Sequence, residues 1–262
     1  MATSDAPVSI GSITLVVNNL SLVEKFYREV IGLNEISRDA SSCTMGQGAN
    51  PLLTLIEDRA ARPYPREAGL FHTAFLLPDR ESLGAWFRHS KSMNVKLDGA
   101  ADHLVSEALY LTDPEGNGVE VYADRDRSHW SIDNDKIKLD TKRLNLSALE
   151  ATAIETWTGI PDDAVIGHVH LQVGGIGESD DFYHTKLGFA RTAGAEHASF
   201  YGSGGYHHHI AGNIWNSRGA GHRPTDATGF YELELLCANG EFDFSETQDP
   251  WGMNIRVSQT NV

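Results

Sequence analysis

Cysteine is scarce: only Cys43 and Cys237 occur among 262 residues. They are too few for a disulfide framework and too far apart in sequence to form a metal clip. No apolar run reaches the length of a membrane-spanning helix. Met1 to Pro7 lacks the basic stretch and apolar run of a secretory leader. Basic residues are also in short supply, with 21 Lys and Arg against 36 Asp and Glu, a net charge of −15. Such a field repels phosphate backbones and anionic lipid, so nucleic acid and membrane surfaces are poor partners. The chain reads as cytoplasmic. At 40% hydrophobic and 22% charged residues, the composition is that of a globular protein and excludes disorder, collagen and coiled coil.

What is present is a repeat. Phe26-Tyr27-Arg28-Glu29-Val30-Ile31-Gly32-Leu33 returns 156 positions later as Phe182-Tyr183-His184-Thr185-Lys186-Leu187-Gly188-Phe189. The same offset lays Ile10 to Val17 on Ile166 to Val173, both alternating and β-branched as half-buried strands are. Further on, Gly69 to Phe75 matches Gly229 to Leu235, and Asp113-Pro114-Glu115-Gly116 matches Asp249-Pro250-Trp251-Gly252. The spacing predicts a helix over Leu20 to Val30, stopped by Gly32, and a second over Arg80 to Met93. Strands are expected near Leu33 to Ile36, Cys43 to Gln47, Pro51 to Glu57, Gly69 to Leu77, Ala108 to Thr112 and Gly118 to Ala123. The organisation expected is a tail (1–8), a first domain (9–125), a connector (126–163) and a second domain (164–262). In the last motif, Ala238 to Thr247 is too short and acidic to repeat the Arg80 helix. That motif reads as truncated.

A strand followed by the "FYxxxLGF" helix, the "DPEGNGVEVY" ending and four βαβββ motifs over nearly the whole chain resemble the vicinal oxygen chelate superfamily of glyoxalases, bleomycin-resistance proteins and extradiol dioxygenases. Four motifs per chain, with "YHHHIAGNIW" at Tyr206 to Trp215, are similar to its catechol 2,3-dioxygenase branch. The resemblance implies an α+β fold of two open cups, one of which holds a divalent ion, with Fe(II) expected first and Mn(II) second. It also implies a small aromatic diol and dioxygen as partners. A homo-oligomer is expected, since a second subunit could cover the shortened wall.

In extradiol relatives the ligands are His, His and Glu on the first, fifth and eighth strands of a cup. Carried over to the second half, these positions hold His168, Glu232 and Arg256. Arginine stays protonated and cannot ligate, so the set must be rearranged. His207 and His209 would share a face of a fourth strand, and either completes a two-histidine, one-carboxylate set with His168 and Glu232. The metal set expected is His168, His209 and Glu232. His207 or His170 would move protons, and Tyr206 and Trp215 would pack the ring. The first half has His72 and Glu120 but Ser12 in place of the first histidine, and reads as a degenerate site. Two other readings compete with ring cleavage: a small-molecule binder of the bleomycin-resistance type, favoured by Arg256, and a glyoxalase-like lyase or isomerase.

Overall fold

The computed structural model describes residues 6–134, 136–237 and 240–259. The first motif comprises β1 (Val8–Val17), α1 (Leu20–Phe26), β2 (Asn34–Arg38), β3 (Ser42–Gln47) and β4 (Asn50–Glu57); the second comprises β5 (Gly69–Leu77), α2 (Arg80–Ser92), β6 (Gly99–Asp102), β7 (Ser106–Thr112) and β8 (Gly118–Asp124). Three two-residue strands, β9 (Ile132–Asp133), β10 (Lys136–Ile137) and β11 (Lys142–Arg143), and the short helix α3 (Leu146–Glu150) occupy the connector. The third motif comprises β12 (Val165–Gln172), α4 (Ile176–Ser179), β13 (Ala190–Ala195), β14 (Ala198–Gly202) and β15 (Ile210–Asn213); among the described residues the fourth has β16 (Gly229–Cys237), β17 (Glu246–Gln248) and β18 (Asn254–Gln259).

Local chemistry sets these boundaries. The Asn19 side chain accepts the Leu22 amide and starts α1. The chain continues through a π-turn, Tyr27–Ile31, and stops where Gly32 takes φ 86°, a left-handed conformation that costs glycine no Cβ clash. The repeated aromatics are structural. Buried Tyr27 reaches Asp113, and Tyr183 donates to Asp249 at 3.0 Å. Each aspartate in turn caps its Asp-Pro turn, accepting the Glu115 and Asn117 amides or the Trp251 and Met253 amides. The two halves of the "FY…DP" signature therefore hold one motif to the next.

The motifs form a seven-stranded sheet, β17-β18-β16-β1-β4-β3-β2, and a nine-stranded sheet, β11-β6-β7-β8-β5-β12-β15-β14-β13. Strand β1 runs antiparallel to β16, with Ile10 opposite Leu235, and β5 runs antiparallel to β12, with His170 opposite His72. One cup therefore joins the first motif to the fourth, and the other joins the second to the third. The expected boundaries at 9–125 and 164–262 follow the sequence repeats, whereas each sheet takes motifs from both sides of the connector. The connector is no bare linker either: β11 pairs with β6, and Trp130, Ile137, Leu144 and Leu149 are buried.

This pairing places Glu232 in the seven-stranded sheet, where Arg256 donates to it at 2.9 Å and to Glu234 at 2.7 Å. Ser12 completes the network through Glu234. The guanidinium occupies the cup face on which Ser12 and Arg256 had broken both ligand sets. Arg256→Glu is expected to lower stability by about 2 kcal/mol without adding bound metal. That figure sits below the roughly 3–5 kcal/mol of a fully buried pair because the arginine is 38% exposed. Thermal melting and metal analysis of the variant check both parts.

Candidate metal centre

Strands β12, β5 and β8 are neighbours, and Ala74 on β5 faces His168 on one side and Glu120 on the other. His72 lies two residues from Ala74, hence on the same face. A small side chain at Ala74 leaves the three larger ones free to converge above it. His72 Nε2 lies 2.9 Å from Glu120 Oε2, His168 Nε2 lies 3.2 Å from the same oxygen, and the two nitrogens are 3.3 Å apart. All three side chains are buried.

This trio fits a divalent ion. Ligands at about 2.1 Å from one ion, set at right angles, lie about 3 Å from each other, as these atoms do. Two imidazole nitrogens turned toward one carboxylate oxygen form the two-histidine, one-carboxylate set that leaves coordination positions open. The protonation states also suit ligation. Burial lowers His168 to about 4, against the pull of Glu120, so the ring is neutral. Burial alone would raise Glu120, but His168 and His72 hold it well below the ordinary carboxylate range. Among the described residues, these three are the group of His, Cys, Asp and Glu side chains arranged to hold an ion.

The trio opens into a cavity of about 980 Å³. Phe71 and Trp215 meet edge to face at 5.1 Å in its wall, with His170 against both and Phe200 beyond. His208 also lines it, its ring centroid 4.2 Å from that of His168. Behind His208 runs a chain of polar contacts: its Nδ1 is 2.8 Å from His207 Nδ1, and His207 Nε2 is 2.9 Å from Asp124 Oδ1. Tyr110, opposite Glu120 in the ladder, lines the cavity as well. Its hydroxyl is 2.7 Å from His103 Nε2, and His103 Nδ1 donates to the Asp140 carbonyl. That donation leaves Nε2 of a neutral ring as acceptor for the tyrosine hydroxyl.

Of the expected metal set, His168 alone is in the trio. His209 is buried beside Tyr206, with its Nδ1 accepting the Ser203 amide, and Glu232 is committed to Arg256. The first, fifth and eighth strand positions are filled as the resemblance implied, but by His168 of the third motif with His72 and Glu120 of the second. Tyr206 does not line the cavity; it is buried, 2.7 Å from the Tyr122 hydroxyl. His170 and Trp215 do line it, whereas His207 stands behind His208. The strand alternation that favoured His207 and His209 fails because residues 206–209 are irregular, with bends at His207 and His209, and β15 begins only at Ile210. Tyr110 and His103 escaped notice, although Tyr110 precedes Glu120 in the same hairpin.

Two sheets built from four related motifs, one carrying a buried His2Glu trio at the base of an aromatic cavity, define a chelate-type cup with a mononuclear candidate centre. Comparison agrees: the Glyoxalase/Bleomycin resistance protein/Dioxygenase superfamily matches residues 9–121. A catechol-2,3-dioxygenase of Bacillus subtilis (strain 168) is 40% identical over 243 residues, covering 89% of this chain and 85% of that protein. The chain belongs to this superfamily. A crystal structure of a putative dioxygenase from Bacillus subtilis subsp. subtilis str. 168 shares the fold with a TM-score of 0.64 at 14% identity, over 97% of this chain and 86% of that one. A glyoxalase I mutant from Zea mays does so with a TM-score of 0.58 at 13% identity, over 99% and 97%.

Proposed function

We propose that the protein is a metal-dependent extradiol dioxygenase that cleaves a catechol-like ring, with His72, His168 and Glu120 holding iron(II), or manganese(II) as the alternative. The observation that carries this reading is the trio itself, at the base of a cavity walled by aromatic side chains. A divalent ion held there would supply a Lewis acid that acidifies a vicinal diol and a redox centre for dioxygen. The remaining work falls to the chain. Phe71, Phe200 and Trp215 hold the ring against the trio and exclude water. His208 is kept neutral by burial and by neighbouring His168, so it can take a diol proton at Nε2. Passing its Nδ1 proton to His207 balances the charge, and Asp124 offsets the imidazolium that results. Tyr110, its hydroxyl proton donated to His103 Nε2, presents its oxygen as an acceptor on the Glu120 side.

The feature that favoured a non-catalytic binder was arginine at the last-strand position, and Arg256 lies in the other sheet. Protein purified without chelators is expected to carry about one divalent ion per chain. Oxygen uptake with catechol should disappear on chelation and return with iron(II). Iron-loaded protein that consumes no oxygen with any catechol would overturn the reading. His208→Gln should keep its metal and lose roughly 10²–10⁴-fold in kcat. His207→Ala should cost less and shift the pH profile, because the relay partner and not the base is removed.

A further inference from the structure

Arg223 differs from the ion-paired arginines. Arg80 pairs with Glu107, Arg125 with Asp102 and Glu107, and Arg256 with Glu232 and Glu234. Arg223 is more enclosed than Arg125 or Arg256, yet among the described residues it forms no ion pair. It donates to the carbonyls of Ala68 and Thr228. A guanidinium has five donors, so others remain available. Arg223 lines the cavity that contains the trio, and no other Lys or Arg among the described residues does. Glycine at position 69 makes room for this group, since a Cβ there would fall onto Arg223 Nη1.

Burying a permanent charge without a counter-ion is costly, and burial pushes this guanidinium below its ordinary value with only Glu67 acting against it. The carboxylates in the wall do not serve as its partners. Glu115 accepts the Asn18 and Asn19 amides, Asp98 accepts the Thr112 hydroxyl, Asp140 accepts the Thr141 amide, and Glu120 belongs to the trio. Position matters as much as charge. Gly69 and His72 flank a bulge in β5 and lie opposite Gln172 and His170, so the arginine beside Gly69 sits roughly 7 Å along the sheet from His72. A bare catechol held at the trio stops short of it; a ring with a short acidic arm does not.

We infer that Arg223 is a substrate-recognition residue for a carboxylate, and that the substrate class is catechols bearing a short carboxylate arm. The identity of the ring rests on the proposed ring cleavage; the anion site does not. The test is calorimetric titration of the metal-loaded protein with a catechol carrying a propionate arm and with its methyl ester. The acid should bind about tenfold or more tightly than the ester, with the advantage shrinking as salt is raised. Arg223→Gln should erase the difference, and Arg223→Lys, which keeps the charge but loses the fork, should retain part of it. Should the glutamine variant fail to fold without its carbonyl contacts, the wild-type salt dependence and the lysine variant decide. Equal binding of acid and ester by wild type, or an acid preference that persists in Arg223→Gln, overturns the inference. Oxygen uptake measured in parallel separates the two readings. Acid preference without uptake sinks ring cleavage and keeps the anion site; uptake without acid preference does the reverse.

Discussion

His72→Ala and Glu120→Ala are each expected to strip the protein of its divalent ion and its oxygen uptake, as is His168→Ala. Each change removes one of three ligand atoms that lie 2.9 to 3.3 Å from one another. No neighbouring carboxylate or imidazole among the described residues is arranged to replace it. Loss of an outer-sphere partner typically costs about 10- to 100-fold in metal affinity, and loss of a ligand should exceed that. His209→Ala and Glu232→Ala supply the contrast, since both should retain metal while losing stability. Metal analysis of the five purified variants reads the result directly, with circular dichroism to confirm folding. Retention in His72→Ala together with loss in Glu232→Ala would return the centre to the seven-stranded sheet.

The location of the centre was harder to read than its ingredients. Gly69–Leu77 appears as a strand with the bounds its alternation suggests, and α2 at Arg80–Ser92 ends one residue short of expectation. These features are local: a cap, a glycine stop or a period of side chains is enough to place them. Which first strand pairs with which is not local. Strands β1 and β5 both begin a motif, and either could pair with β12 or β16 while keeping the same face buried. Matching each half to itself gave two defective ligand sets, one lacking its first histidine at Ser12 and one spoiled by Arg256. Crossing the halves repairs one set completely and puts both defects in the other sheet. That complementarity was the available signal. The histidine run Tyr206 to His209 departs from strand alternation for a different reason. It bends, with Gly204 and Gly205 at positive φ just before it, and period-two reasoning applies only to extended chain.

Acid should unfold this protein early and with a large proton uptake. Burial holds His168 near 4 and His209 near 3, and it keeps His170 and His208 well below the ordinary histidine value. In the unfolded chain all four titrate near 6.5. Between those limits the unfolded state binds more protons, so stability falls as pH drops from about 6.5 toward 4. Each histidine contributes about 1.4 kcal/mol per pH unit. Glu120 acts lower: its stabilisation is complete above the unfolded carboxylate value of about 4.3 and is lost as pH falls through its depressed folded value. Asp249 opposes the histidines. Burial raises it to about 6, so the folded state holds a proton that the unfolded state releases above about 3.9, and its share of stability is lost as pH rises from about 4 to 6. Burial raises Asp113 as well, so four histidines against two aspartates leave a net uptake of roughly two to three protons on unfolding near pH 5. His209→Gln isolates one of them away from the metal trio, because the amide oxygen can still accept the Ser203 amide that His209 Nδ1 accepts at 3.2 Å. Urea titrations from pH 7 to 4.5 should therefore show the variant losing stability more slowly than wild type, by about one proton's worth of slope; parallel curves would mean that His209 titrates alike in the folded and unfolded states.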